Sequence, residues 1–232
     1  MGQPWLAGWN FRVLQWLFHL LRHSGTTDNF FDYLTRNHLI TTWVFAAAFY
    51  LYWSIEDEQT AERRTRLAQI VVTFVIAVII SLVARRWAAW PAPALNPQFQ
   101  ALYPNYFWGY GVFNSFPSHA TLTYFLIGLG LWPLSRRASV ALALYALLGV
   151  ALPRVYVGGH YPIDVIASVI LDVVVLAVVW QWRVPASVRN WLTRRQRAGW
   201  RELLVVFWVF ELGEEFGGLT QLAHTVQRWL HL

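Results

Sequence analysis

The chain has 232 residues, 57% hydrophobic and only 13% charged, where an ordinary soluble domain carries about 25% charge. Its formal charge of +6 rests on 18 basic side chains, all Arg, and the absence of Cys excludes a disulfide framework and a thiolate metal site. The apolar residues fall in uninterrupted runs of bilayer length, so the arginines read as flanks of membrane spans and nucleic-acid binding is set aside.

In chain order, the first predicted element is a helix over residues 5–21. Trp5, Leu6, Phe11, Val13, Leu14, Trp16, Leu17 and Phe18 follow a roughly helical period, and Asn10, Arg12 and His19 interrupt them. That pattern predicts an amphipathic helix lying at the membrane surface, with a true span as the alternative. Arg12 inside the apolar stretch and the lack of a small-residue cleavage site argue against a removable signal peptide.

Spans are then predicted at Leu39–Ile55, Leu67–Val83, about His119–Leu134, Ser139–Tyr156 and Ile163–Trp182. Glu56-Asp57-Glu58, Arg85-Arg86, Arg136-Arg137 and Arg183 stop four of them, and a Pro-rich aromatic loop fills 87–116. Runs of this kind must be helical in lipid, because each backbone polar group needs an internal partner. The expected fold is therefore all-α, a polytopic membrane bundle of five to six transmembrane helices plus the N-terminal interfacial helix. The tail past the basic linker carries the apolar run Leu203–Phe210 followed by Glu211, Glu214 and Glu215. These carboxylates fit a membrane-associated helix, or a sixth span whose acids face protein. The expected organisation is an N-terminal helix over 1–24, a transmembrane domain over 25–182, and a linker with a C-terminal helix over 183–232.

Polar side chains at span ends are the candidates for chemistry. The richest cluster is Arg154-Val155-Tyr156-Val157-Gly158-Gly159-His160-Tyr161-Pro162-Ile163-Asp164. Pro162 suits a first helical turn, which puts His160 just ahead of the last span and Asp164 within its first turn. Residues four apart at a helix start can meet. The carboxylate then holds one imidazole nitrogen protonated and leaves the other as a nucleophile. Gly158 and Gly159 allow close backbone approach, and Arg154 offers a bidentate phosphate ligand.

A second cluster, Ser115-Phe116-Pro117-Ser118-His119-Ala120-Thr121, precedes the third predicted span, with Pro117 expected in its first turn. Exposed N–H groups there would favour an anion, Ser118 would add a hydroxyl, and His119 could give a proton to a leaving oxygen. Arg85 and Arg86, near Pro91 and Pro93, form a third cluster. By loop parity all three share one membrane face.

At these residues the chain resembles the type 2 phosphatidic acid phosphatase superfamily. Arg154, His160 and Asp164 match its third motif, Arg, five residues, His, three residues, Asp. Pro117-Ser118-His119 resembles the second motif, Pro-Ser-any residue-His, with one residue missing. Arg85 and Pro93 fall at the Lys and Pro of the first motif, where Ala92 replaces an Arg. The resemblance covers about residues 25–182. It implies metal-independent hydrolysis of a lipid phosphate or diphosphate without a cofactor: His160 as nucleophile, Asp164 as its orienting partner, His119 as acid, and Arg154, Ser118 and Arg85 as phosphate ligands.

Undecaprenyl diphosphate, phosphatidic acid and phosphatidylglycerol phosphate are all candidate substrates. A transferase using the same phosphohistidine, and a non-catalytic subunit of the same fold, are the competing readings. The soluble vanadium haloperoxidases share the motifs, but the spans argue against them. Arg63, Arg64, Arg66, Arg136, Arg137, Arg183, Arg189, Arg194, Arg195, Arg197 and Arg201 fall on one predicted face, against Arg12, Arg22, Arg36, Arg85, Arg86 and Arg154 on the other. Positive loops stay cytoplasmic, so the protein is expected in the cell inner membrane with its clusters facing the periplasm or exterior. Oligomeric state is not legible in the sequence.

Overall fold

A computed structural model describes residues 4–20, 24–87, 91–97, 100, 115–193, 205 and 208. The described residues fold as helices, with no strand among them. In chain order they are α1 Pro4–Leu20, α2 Gly25–Arg36, α3 His38–Thr41, α4 Trp43–Ser54 and α5 Thr60–Trp87, then a 3-10 turn at Pro93–Leu95. There follow α6 His119–Gly130, α7 Arg136–Tyr145, a π-helical stretch Ala146–Ala151 that continues into α8 Leu152–Tyr156, then α9 Pro162–Gln181 and α10 Ala186–Thr193.

Three segments are long and apolar enough to cross a membrane: Thr60–Ala84, Arg136–Tyr156 and Pro162–Gln181. They correspond to the second, fourth and fifth predicted spans. The predicted first and third spans are represented by shorter helices. α4 and α6 have 12 residues each, about 18 Å at 1.5 Å per residue. The first is shortened because Thr41 and Thr42 interrupt it. The Thr41 hydroxyl donates to the Asn37 carbonyl at 3.0 Å, and the Thr42 hydroxyl pairs with the Tyr124 hydroxyl at 2.8 Å. Such local hydroxyl contacts compete with helix continuation. The third starts at His119, as expected, but ends at Gly130 where the prediction ran to Leu134, and Pro117 lies outside the helix, where its first turn had been expected to include it.

α6 is the axis of the bundle. Residues 121–128 are all buried, and the helix packs against α5, α7 and α9. Its approach to α7 is close enough to require glycine. A Cβ on Gly128 would lie 2.7 Å from the Ala143 backbone nitrogen, a distance that backbone cannot yield. The main core gathers Phe45, Phe49, Leu67, Ile70, Phe74, Leu122, Leu126 and Ile127, and Val205 and Trp208 of the tail join it. Between helices in lipid such side chains contribute through close van der Waals packing rather than through removal from water.

α1 and α2 cover the end of the bundle where α8 meets α9. Leu14 and Phe31 join Tyr156 in a second core, the Tyr156 hydroxyl donates to Asp28 at 2.6 Å, and the Ile163 N–H donates to the Asn10 side chain at 3.2 Å. The predicted amphipathic helix is therefore docked on protein through Leu14 and Asn10, while Trp16 and Leu20 stay exposed. At the other end Arg63 and Arg64 are buried. Arg63 pairs with Asp57 and Arg64 with Glu56, and Arg64 also lies over Trp53 and donates to the Leu192 carbonyl. The Arg63 guanidinium, hydrogen-bonded to Asp57, holds that carboxyl below the usual carboxylate range. These two arginines, read from sequence only as span flanks, also tie α5 to its preceding loop and to α10.

Candidate active site

Pro162 opens α9 at its first turn, as the sequence predicts, and the helix is capped reciprocally. Asp164 Oδ2 accepts the Tyr161 backbone N–H at 2.8 Å, an N3 carboxylate reaching back to its own cap. Gly158 makes the loop before it possible. Its φ of 74° lies in the left-handed region that only glycine enters without strain. The turn closes on Arg154, whose carbonyl accepts the N–H groups of Gly159 at 2.9 Å and His160 at 3.3 Å. The Gly159 N–H is thus spent inside the turn.

His160 is held by a group that sequence reasoning missed. Its Nδ1 lies 2.8 Å from the Ser115 carbonyl oxygen, and 3.7 Å from Asp164 Oδ2. A carbonyl can only accept, so Nδ1 carries the proton and the lone pair of the neutral ring is on Nε2. The expected orienting carboxylate is close enough to act through its charge, while the hydrogen bond goes to backbone. Asp164 itself is fully buried.

The second cluster is joined to the Arg154–Asp164 cluster by backbone. Ser118 N–H donates to the Asp164 carbonyl at 3.4 Å, and the Ser168 hydroxyl, one turn along α9, donates to the carbonyls of Ser118 and Asp164 at 2.9 and 2.8 Å. Ser118 caps α6 without a side-chain bond to the helix backbone. Instead its Oγ accepts from Thr121 Oγ1 at 2.9 Å, which leaves the Ser118 hydroxyl proton available to an anion. His119 is the first residue of α6, and its Nε2 lies 3.1 Å from Ser81 Oγ on α5. Arg154 is buried and donates to the Val150 carbonyl at 3.3 Å, in the π-helical stretch.

The third cluster, Arg85 and Arg86 with Pro91 and Pro93, is met in part. The 3-10 turn at Pro93–Leu95 docks on the glycine loop through the Ala94 N–H, 2.9 Å from the Gly158 carbonyl. Ala92, at the position where an Arg was sought, is fully buried. Arg85 lies in the last turns of α5; its side chain and that of Arg86 are outside the described residues. Asn96 donates to the Tyr161 hydroxyl at 3.3 Å. Burial pushes the Tyr161 phenol up, the Asn96 hydrogen bond works against this, and the Asp164 charge adds to it; the phenol stays protonated at neutral pH.

Ser81 and Ser168 were absent from the sequence reading, because a lone serine in an apolar run carries no distinguishing signal; Ser115 opened the second cluster there but was given no role. Asp172 did carry one, a carboxylate deep in an apolar run. It lies two turns beyond Asp164 on α9, buried, and neither oxygen has a hydrogen-bond partner among the described residues; nothing there accounts for it. Among the described residues no three His, Asp or Glu side chains gather as a metal site would require.

The family described as the PAP2 superfamily matches residues 66–187, more than half of the chain. No curated protein matches the sequence significantly. The crystal structure of Aquifex aeolicus LpxE is similar in fold, with a TM-score of 0.53 and 19% identity over 73% of this chain and 94% of that one.

Proposed function

We propose that this chain, which belongs to the PAP2 superfamily, is an integral membrane phosphatase that hydrolyses a lipid phosphate or diphosphate through a phosphohistidine. The observation that carries the reading is the hydrogen bond from His160 Nδ1 to the Ser115 carbonyl. It fixes the tautomer that presents a nucleophilic Nε2, and the nearby Asp164 carboxylate stabilises the ring as it becomes positive.

In the first step the Nε2 lone pair forms a bond to phosphorus and the bond to the leaving oxygen breaks. His119 supplies the proton that this oxygen takes up. In the second step water attacks the phosphohistidine, its proton returns to His119, and phosphate leaves. Arg154, Ser118 and Arg85 are the ligands of the transferring phosphoryl group, whose charge such donors stabilise. Gly159 acts by close backbone approach, its N–H being held by Arg154. An alcohol in place of water would make the same site a transferase. The burial of Ala92 favours one further reading, a non-catalytic subunit, because the loop there is packed around a small side chain where the family motif has an Arg.

Phosphate release from a panel of lipid phosphates and diphosphates by the purified protein tests the assignment. Release is expected to persist in EDTA, since every proposed phosphate ligand is a protein donor. Full loss in chelator, restored by a divalent ion, would count against the mechanism; no release from any substrate would favour the non-catalytic reading.

The reading includes five spans, formed by α3–α4, α5, α6, α7–α8 and α9, with the tail as the sixth in question. The site faces the periplasm or exterior of an inner membrane, since the arginine-rich loops lie at the opposite end. Asn105 and Arg195 lie outside the described residues but in loops of opposite predicted side. Asn105→Cys is expected to react with an impermeant thiol reagent in intact cells and Arg195→Cys to be protected; the reverse pattern would invert the orientation.

A further inference from the structure

At the end of the bundle opposite His160, a cleft of about 640 Å³ opens between the start of α5, the end of α9 and α10. Arg66, Arg183 and Arg189 line it, together with Glu58 and Glu62 and the two tryptophans that close α9, Trp180 and Trp182. The wall is set by Gln69, whose amide donates to the Val179 and Trp182 carbonyls at 3.1 and 3.3 Å and so satisfies the end of α9. Arg66 donates to the Gln69 Oε1 at 3.2 Å and lies 3.6 Å from Glu62. Arg183 is exposed and has no ion-pair partner among the described residues.

Three features select the ligand. Arginines outnumber carboxylates on the wall, and a guanidinium recognises phosphate oxygens bidentately. The exposed guanidinium of Arg183 calls for an acceptor rather than a cation. The cleft also sits where the apolar α9 ends in Trp180 and Trp182, at headgroup depth, and Val72 and Val178, about a turn further along α5 and α9, are exposed as an acyl chain would require. We propose that this cleft binds the headgroup of an anionic phospholipid from the leaflet opposite the active site. The phosphodiester lies against Arg183 and Arg66, and the acyl chains run along the exposed faces of α5 and α9. The proposal does not depend on the catalytic reading, since its residues are all at the other end of the bundle.

Native mass spectrometry of the full chain in detergent, with phosphatidylglycerol or phosphatidylcholine added, tests it. A phosphatidylglycerol adduct is expected and phosphatidylcholine should bind more weakly. Arg183→Gln and Arg66→Gln should each weaken the phosphatidylglycerol adduct about tenfold, the loss of one charge-assisted hydrogen bond. Arg154→Gln should leave it intact. Equal binding of the two lipids, an adduct unchanged by Arg183→Gln, or one lost in Arg154→Gln would overturn the proposal. Displacement of the adduct by millimolar inorganic phosphate would also overturn it, as the mark of a simple anion site.

Discussion

His160→Ala is expected to lower phosphate release by at least about 10⁴-fold while the protein stays folded and inserted, the scale seen when a covalent nucleophile is removed. The structural reason for the first half is that the oxygens beside the lost ring are already engaged. Asp164 Oδ2 is committed to the Tyr161 N–H, and the Ser118 Oγ to Thr121. The reason for the second half is that the fold around His160 does not hang on its ring. The glycine turn closes through backbone bonds to Arg154 and the docking of α6 on α9 through Ser118, Asp164 and Ser168; of these contacts the substitution removes only the one to Ser115. Turnover of a substrate labelled at the phosphoryl group, quenched into alkali because acid cleaves a P–N bond, should trap label on the wild-type chain and none on the variant. Retained turnover in His160→Ala, with the protein shown to be monodisperse, would remove the mechanism.

What the sequence could and could not reveal follows from which atoms carry the information. α5, α7–α8 and α9 were legible because each is an apolar run bounded by charge. α4 and α6 were predicted too long, because hydropathy does not register that Thr42 answers Tyr124 across the bundle or that α6 gives way to a turn after Gly130 while the apolar run continues to Leu134. The spacing of Arg154, His160 and Asp164 was legible because their order is local: one turn closed by Gly158 and one capped helix. The atom that directly accepts from His160 was not, since it is a main-chain carbonyl 45 residues away, and a carbonyl has no residue type. The convergence argued from loop parity has its physical counterpart in bonds joining Ser118 to Asp164 and Ala94 to Gly158. Loop parity gave the face, and only packing could give the partners. α2 and α10 went unpredicted because neither is an apolar run; their polar faces look like loop.

The second large effect is expected at His119, and it is a difference between two substrates. His119→Ala should slow hydrolysis of an alkyl phosphate by about 10²–10⁴-fold, the usual worth of a general acid, and a nitrophenyl phosphate far less, because a nitrophenolate leaves without a proton. A gapless comparison with the family motif puts Ala120 at the acid's position, and one residue at a helix start turns a side chain by about 100°. The geometry speaks for His119 nonetheless. As the first residue of α6 it projects toward α5, where its Nε2 meets Ser81, and Ser81 precedes Arg85 by four residues, so both belong to one face of that helix. The histidine is therefore anchored to the helix face that carries a proposed phosphate ligand. Ser81→Ala would free the ring without removing the acid, so it should slow the alkyl phosphate by less than His119→Ala does. Equal slowing of both substrates in His119→Ala would mean that the residue acts in binding or folding, and that the proton reaches the leaving oxygen from elsewhere.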